Sequence, residues 1–216
     1  MGRVMKETLL PWRLNGVEQP ALLCSPGMER ELLCGHLLTG LFVRGVQEIT
    51  AITSNDNIWC VETSGAPRPG DLPARLEALA PCGSDRRIAL DEVKALSERL
   101  MTWDNAQGQH AVLLSDGARE AFGCDIGRHN ALDKAIGAGL AAGLRLGDAV
   151  MCTSGRLSIE ILAKAAAAGT PIVCTRKQVG DLACAWAERL GVAIVQTGRD
   201  TDIFGAAERI IREDEL

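Results

Sequence analysis

The chain has 216 residues, 47% of them hydrophobic and 24% charged, with a formal net charge of −5. That length supports one good core, or one main domain with a smaller attachment. The acidic balance argues against a broad nucleic-acid or anionic-membrane surface, but leaves room for a small basic pocket around one phosphate-bearing ligand.

Aromatic residues are only 3% and tyrosine is absent, so Ala, Leu and Val must fill the core, and helices packed closely on Ala and Gly are expected. No run approaches the roughly 18 apolar residues of a membrane span, and "MGRVMKETLLPWRLNG" lacks the apolar stretch of a secretion signal; the expected location is cytoplasmic. Eight cysteines are widely spaced without any C-x-x-C. This pattern predicts neither a disulfide framework nor a structural zinc site, and makes most of the thiols small core residues.

Texture changes near residue 105, which divides the chain into an α+β part over 1–104 and an α/β core over 105–216. In the first part, Asn15-Gly16 between two strand-like runs predicts a hairpin. "GMERELLCGHLLTGLFV" places Leu32, Leu33, Leu37, Leu38 and Leu41 at helical spacing. "VQEITAIT" and "NIWCVETS" predict strands around Asn55-Asp56-Asn57. An irregular, proline-rich stretch follows from Gly65, then a short helix over 72–79. "PCGSDRR" breaks it, and Asp91 is expected to cap a further helix.

In the second part "HAVLLSD" and "AREAFGCD" predict strands joined at Asp116-Gly117, and a helix is expected from about Asn130 to Leu144. "AVMCTS", "PIVCT" and "VAIVQTG" then alternate with two helical patterns. This βαβαβ order implies a parallel sheet with crossover helices, whose ligands sit at the carboxyl ends of the strands.

Three stretches could carry chemistry. In "CDIGRHNALDKAIG", Gly127 permits close backbone approach and the helix start favours an anion. Arg128 and His129 add donors, Asn130 is placed to cap the helix, and Lys134 could reach back to the turn. A well-capped helix with solvated charges is the plainer alternative. In "TSGRLSIEILAK" the same plan recurs, with Ser154, Gly155, Arg156 and Ser158 in an anion-friendly turn and Glu160 and Lys164 spaced to pair along the helix. Two such turns at one sheet edge would form a phosphate or nucleotide pocket. In "APCGSD", Cys82 lies in a loop flanked by Pro and Gly, where Arg86 and Arg87 would favour its thiolate, the form that attacks sulfur. Packing roles are expected for His110 and His36, and close helix contact for Gly139 and Gly143.

These segments together resemble the FdhD family of formate dehydrogenase accessory sulfur carriers. "LNGVEQPALLCSPGMERELLCGHLLTGL", "QGQHAVLLSDG", "DIGRHNALDKAIG" and "TSGRLSIEILAKAAAAGTPIV" are similar to family segments along nearly the whole chain. The resemblance implies a cytidine-deaminase-like three-layer α/β/α core with a smaller N-terminal α+β part, and a homodimer. It also implies passage of persulfide sulfur from a cysteine desulfurase, on Cys82, to a molybdenum cofactor in its bis-guanine-dinucleotide form, for a molybdenum- or tungsten-dependent formate dehydrogenase. Arg128, His129, Asn130, Lys134, Ser154, Arg156 and Lys164 carry over as cofactor-binding positions. A binding chaperone of the same fold without sulfur transfer is the alternative. The chain departs from the family where Asp85 replaces the second thiol of a loop C-x-x-C, where Cys124 replaces an acid, and in "TRKQVGDLA".

Overall fold

Asn15 and Gly16 take φ of 49° and 79°, the paired positive values of a tight hairpin turn. They join β1 (Thr8–Leu14) to β2 (Val17–Cys24). The computed structural model describes residues 4–65, 71–103, 108–198 and 200–212. After helix α1 (Glu29–Thr39), Asp56 and Asn57, also at positive φ, turn β3 (Ile49–Asn55) into β4 (Ile58–Thr63). The four strands form one sheet in the order β2-β1-β4-β3, with β1 and β4 parallel.

The prolines and glycines expected to make an irregular segment lie mostly in 66–70, outside the described residues. Helix α2 (Leu72–Ala78) is capped by Asp71, which accepts from Ala74 N at 3.0 Å. A two-residue strand, β5 (Ile88–Ala89), runs into α3 (Leu90–Met101). The cap of α3 is Ala89 rather than the expected Asp91, which lies inside the first turn and favours the helix by its charge.

A six-stranded sheet forms the centre, in the order β11-β10-β9-β8-β6-β7, from β6 (His110–Ser115), β7 (Glu120–Asp125), β8 (Val150–Thr153), β9 (Ile172–Thr175), β10 (Ala193–Thr197) and β11 (Thr201–Gly205). β8, β9 and β10 are parallel, as the βαβαβ order requires, whereas β6, β7 and β11 are antiparallel to their neighbours. Helices α4 (Arg128–Ala141), α5 (Ile159–Ala167) and α6 (Asp181–Ala187) pack with α1 against Val112, Leu114, Met151, Val173 and Ile194. The alternate residues Leu113, Cys152, Cys174 and Val195 face Val93 and Leu100 of α3. This period-two division of each strand between two layers makes the core a three-layer α/β/α structure.

The change of texture near residue 105 falls in 104–107, outside the described residues. Packing does not divide there, because α3 covers one face of the central sheet and β5 pairs with the terminal β12 (Ile210–Ile211). The N-terminal sheet reaches the core through α1, which lies on α4. A Cβ at Gly35 would stand 1.9 Å from Asp133 O, and one at Gly137 2.0 Å from Glu31 O. The close glycine contact expected of Gly139 and Gly143 is therefore made by Gly137, two residues before Gly139. Gly139 sits against Ala121 and Leu114 on the sheet, and Gly143, at φ 70°, ends α4.

Candidate functional site at two edges of one sheet

The carboxyl ends of β7, β8 and β9 and the start of β6 meet at one edge. β7 ends at Asp125 and, after Gly127, α4 begins at Arg128, two residues before the expected start. β8 ends at Thr153, and the turn to α5 follows. Thr153 and Thr175, in register on adjacent strands, hold that turn: Gly155 N donates to Thr153 Oγ1 (3.1 Å), and Thr175 Oγ1 donates to Gly155 O (2.7 Å). Gly155 thereby backs onto its neighbours so tightly that a Cβ there would lie 3.4 Å from both Arg128 Cβ and His110 Nδ1. The two basic turns converge as the sequence predicts, and Arg156 is exposed beside them.

Among the described residues, three polar atoms in this region are buried without a hydrogen bond: Arg128 Nε, His129 Nε2 and Ser158 Oγ. His129 Nε2 lies 3.0 Å from Glu160 Oε2, in a contact that is not aligned as a hydrogen bond. Burial holds the His129 imidazole below its ordinary pKa, and the Lys164 charge adds to this against Glu160. His110, expected only to pack, belongs to the edge as well. Burial lowers its pKa, then the charges of Arg128 and Arg156, against a weaker pull from Asp125. Neutral imidazoles next to unpaired guanidinium donors suit an anion with additional hydrogen-bonding groups.

Four of the expected binding residues are engaged by the protein itself. Ser154 Oγ accepts from Ala111 N at 2.8 Å, and Ser154 N donates to Ala111 O at 2.9 Å, so the residue extends the β6–β8 ladder. Asn130 does not cap α4; its amide donates to Leu23 O (2.7 Å) and Asp125 Oδ1 (3.2 Å). Lys134 does reach back, but into the interior: its Nζ, on a side chain 1% exposed, meets Asp125 Oδ2 at 2.7 Å and Ser25 O at 2.8 Å. Lys164 pairs not with Glu160 but with Asp133 Oδ2 at 2.6 Å, and donates to Thr39 Oγ1 at 3.0 Å. Thr39 donates to Asp133 Oδ1 (2.7 Å), and His36 Nδ1 is 3.5 Å from Asp133 Oδ2. Burial pushes the Asp133 carboxyl up, but Lys164, with His36, overrides it and holds the pKa at about 2.

Offsets of four on α4 contain the signal for this arrangement. Asn130 and Lys134 share a face turned to Asp125 and β2, and His129 and Asp133 share one turned to α5.

Cys82 lies at the other edge. Its Sγ donates to Gly169 O (3.3 Å), and its backbone N donates to Leu190 O (2.8 Å); those residues precede β9 and β10. The four residues of β9 span about 10 Å, so the sheet separates Cys82 from the basic turns. The loop is clasped by Arg209, 8% exposed, whose guanidinium donates to the carbonyls of Cys82 (3.2 Å), Ser84, Arg86 (3.4 Å) and Gly191 (3.0 Å). Arg87 donates to Glu208 O, and Arg86 extends toward the Gly117 turn. Cys82 is half-buried and lines an open groove of ≈ 920 Å³ with Arg44, Arg86, Asp85 and Asp148. All eight cysteines are free; Cys24, Cys152 and Cys174 are fully buried and the other five partly so. Cys124 is half-buried, and burial raises its pKa.

The architecture defined so far is a three-layer α/β protein with a basic turn pair at one sheet edge and a loop thiol at the other. The FdhD/NarQ family matches residues 60–211, and the chain belongs to that family. The chain is similar to the sulfur carrier protein FdhD of Methanothermobacter thermautotrophicus, at 27% identity over 97% of this chain and 92% of the relative. It is also similar to that of Bacillus subtilis, at 29% over 96% and 90%. A crystal structure of a proposed formate dehydrogenase accessory protein from Desulfotalea psychrophila superposes with a TM-score of 0.81, at 26% identity, over 95% of this chain and 90% of the other.

Proposed function

We propose that this protein is a sulfur carrier for formate dehydrogenase maturation, with Cys82 taking sulfur from a cysteine desulfurase and a guanylated molybdenum cofactor as acceptor. Family membership supports the general role. The observation that carries the acceptor site is the convergence of Arg128 and Gly155, with the buried Arg128 Nε lacking a hydrogen-bond partner among the described residues. An anionic pyrophosphate or guanine edge would supply acceptors for Arg128, Arg156, His129 and Ser158, and the absence of a Cβ at Gly155 keeps the backbone low beneath it.

In the loading step, the Cys82 thiolate attacks the outer sulfur of the desulfurase persulfide. One S–S bond forms as another breaks, the desulfurase thiol leaves, and no net electrons are exchanged. One loop thiol is enough to hold the persulfide. Loading at the groove and delivery at the basic edge are separate events, because the sheet lies between them. Lys134, Lys164, Asn130 and Ser154 act as supports that hold the helix starts in place.

That same separation favours one other reading, in which the chain binds the guanylated cofactor without transferring sulfur. Persulfide labelling after incubation with a cysteine desulfurase distinguishes the two. Wild type is expected to acquire label that Cys82→Ala lacks, and equal labelling of both removes Cys82 from the pathway. In parallel, Arg128→Ala and Arg156→Ala are expected to weaken guanine-nucleotide binding by about 1.5–3 kcal/mol each. Unchanged calorimetric titrations would sink the acceptor site.

A further inference from the structure

Cys152 and Cys174 lie directly opposite each other on the parallel strands β8 and β9. They belong to the same face of the sheet, beneath α3, close enough that each thiol shifts the pKa of the other. Cα atoms of such partners are about 4.8 Å apart, within the roughly 4.4–6.8 Å that a disulfide spans. Most buried thiols pack among hydrocarbon, but this pair continues into a line of hydroxyls. Thr197 Oγ1 is 3.7 Å from Cys174 Sγ, and Ser97 Oγ is 3.2 Å from Thr197 Oγ1. Ser97 and Thr197 in turn line a cavity of ≈ 120 Å³ bordered by Lys94, Glu98 and Arg176. A polar line therefore runs from the surface to within one hydroxyl of Cys174.

The two thiols are also inequivalent. The neighbouring Cys152 thiol holds the Cys174 pKa down, against burial and with help from Thr197, Ser97 and Arg176. Its partner is pushed well up, by the Cys174 thiol beside it and by burial. An attacking thiolate beside a protonated second thiol is the arrangement a redox-active dithiol uses.

We propose that Cys152 and Cys174 form a second dithiol site, independent of Cys82, that a hydroperoxide entering through the Ser97–Thr197 cavity closes to a cross-strand disulfide. Cys174 as thiolate attacks one oxygen of hydrogen peroxide; the O–O bond breaks, and the released hydroxide takes up a proton to leave as water. The resulting sulfenic acid is attacked by Cys152 sulfur, its hydroxyl leaves as a second water with the Cys152 proton, and the S–S bond forms. Two thiols lose two electrons and two protons, and one peroxide is reduced to two waters.

Trypsin provides a direct readout, because Cys152 falls in the peptide 146–156 and Cys174 in 165–176. After brief treatment of the reduced, folded protein with hydrogen peroxide, quenching and alkylation, mass spectrometry is expected to find these two peptides joined, lighter than their sum by two hydrogens. The joined species is expected to disappear on reduction and in Cys152→Ala. In that variant Cys174 should instead be trapped as a sulfenic acid by dimedone. A peroxide dose that oxidises the half-buried Cys60 but leaves both peptides separate and fully alkylatable after unfolding would overturn the proposal. The wild-type digest decides alone, so a variant that fails to fold does not protect it.

Discussion

Lys164 is only 8% exposed, and Asp133 and Thr39 both meet its Nζ. Asp133 in turn receives Thr39 and stands beside His36. Removing one member of a buried ion pair leaves an uncompensated charge, at a cost of about 3–5 kcal/mol, whereas replacing both with apolar groups is often close to neutral. Lys164→Met is therefore expected to lower the unfolding free energy from urea titration by that amount, and adding Asp133→Leu to recover most of it. Equal losses that simply add would show that the two residues do not act as a pair. The acid limb carries the same information. Asp133 titrates at about 2 in the folded protein against an ordinary 3.8, so the folded state binds this proton less tightly. Its contribution is complete above about pH 4 and lost as pH falls toward 2; the double variant should lack that component. In the sequence, the polar groups of "DIGRHNALDKAIG" were legible as a site but not separable by task. Arg128 and His129 face the edge, while Asn130, Asp133 and Lys134 hold the helix, because their partners at Leu23, Ser25, Thr39 and Lys164 come from distant elements that local spacing does not reveal.

At the scale of elements, hydrophobic period and turn chemistry located most helices and strands, including the hairpins at Asn15-Gly16 and Asp116-Gly117. They did not reveal β11, whose "TDIFG" is too short and too polar to show a period, and which pairs only because β10 offers it an open edge. Small residues announced that helices would pack closely, but not which glycines would touch. The α1–α4 crossing rests on Gly35 and Gly137, each set against the other helix's backbone. Gly137→Ala would normally strengthen an isolated helix by about 1 kcal/mol. Here the methyl would strike the Glu31 carbonyl, and forced separation in a close-packed core costs roughly 1–3 kcal/mol or more. Net destabilisation is expected in thermal or urea unfolding. An Ala variant as stable as wild type would mean that α1 can lift off α4 freely, and would loosen the attachment of the N-terminal sheet.

For the whole molecule, the central sheet acts as a partition. The carboxyl edge gathers two basic turns, and the opposite edge holds a thiol in a groove. Sequence order placed the turns correctly, since βαβ units put their loops at known ends of strands. It gave no edge to Cys82, because the docking of that loop is decided by Arg209, 127 residues away, and by carbonyls ahead of β9 and β10. Arg209 is thus the natural control on whether the thiol stays against Gly169 or becomes free to move. Hydrogen bonds from a charged donor contribute roughly 1.5–3 kcal/mol each, so removing the guanidinium should raise the open population of the loop at least about tenfold. Arg209→Ala is then expected to accelerate alkylation of Cys82 by a similar factor. Cys184, half-buried on α6, provides the internal reference. Selective acceleration at Cys82 reports release of the loop, parallel acceleration at both reports general unfolding, and an unchanged Cys82 rate would show that Arg209 does not hold the thiol in place.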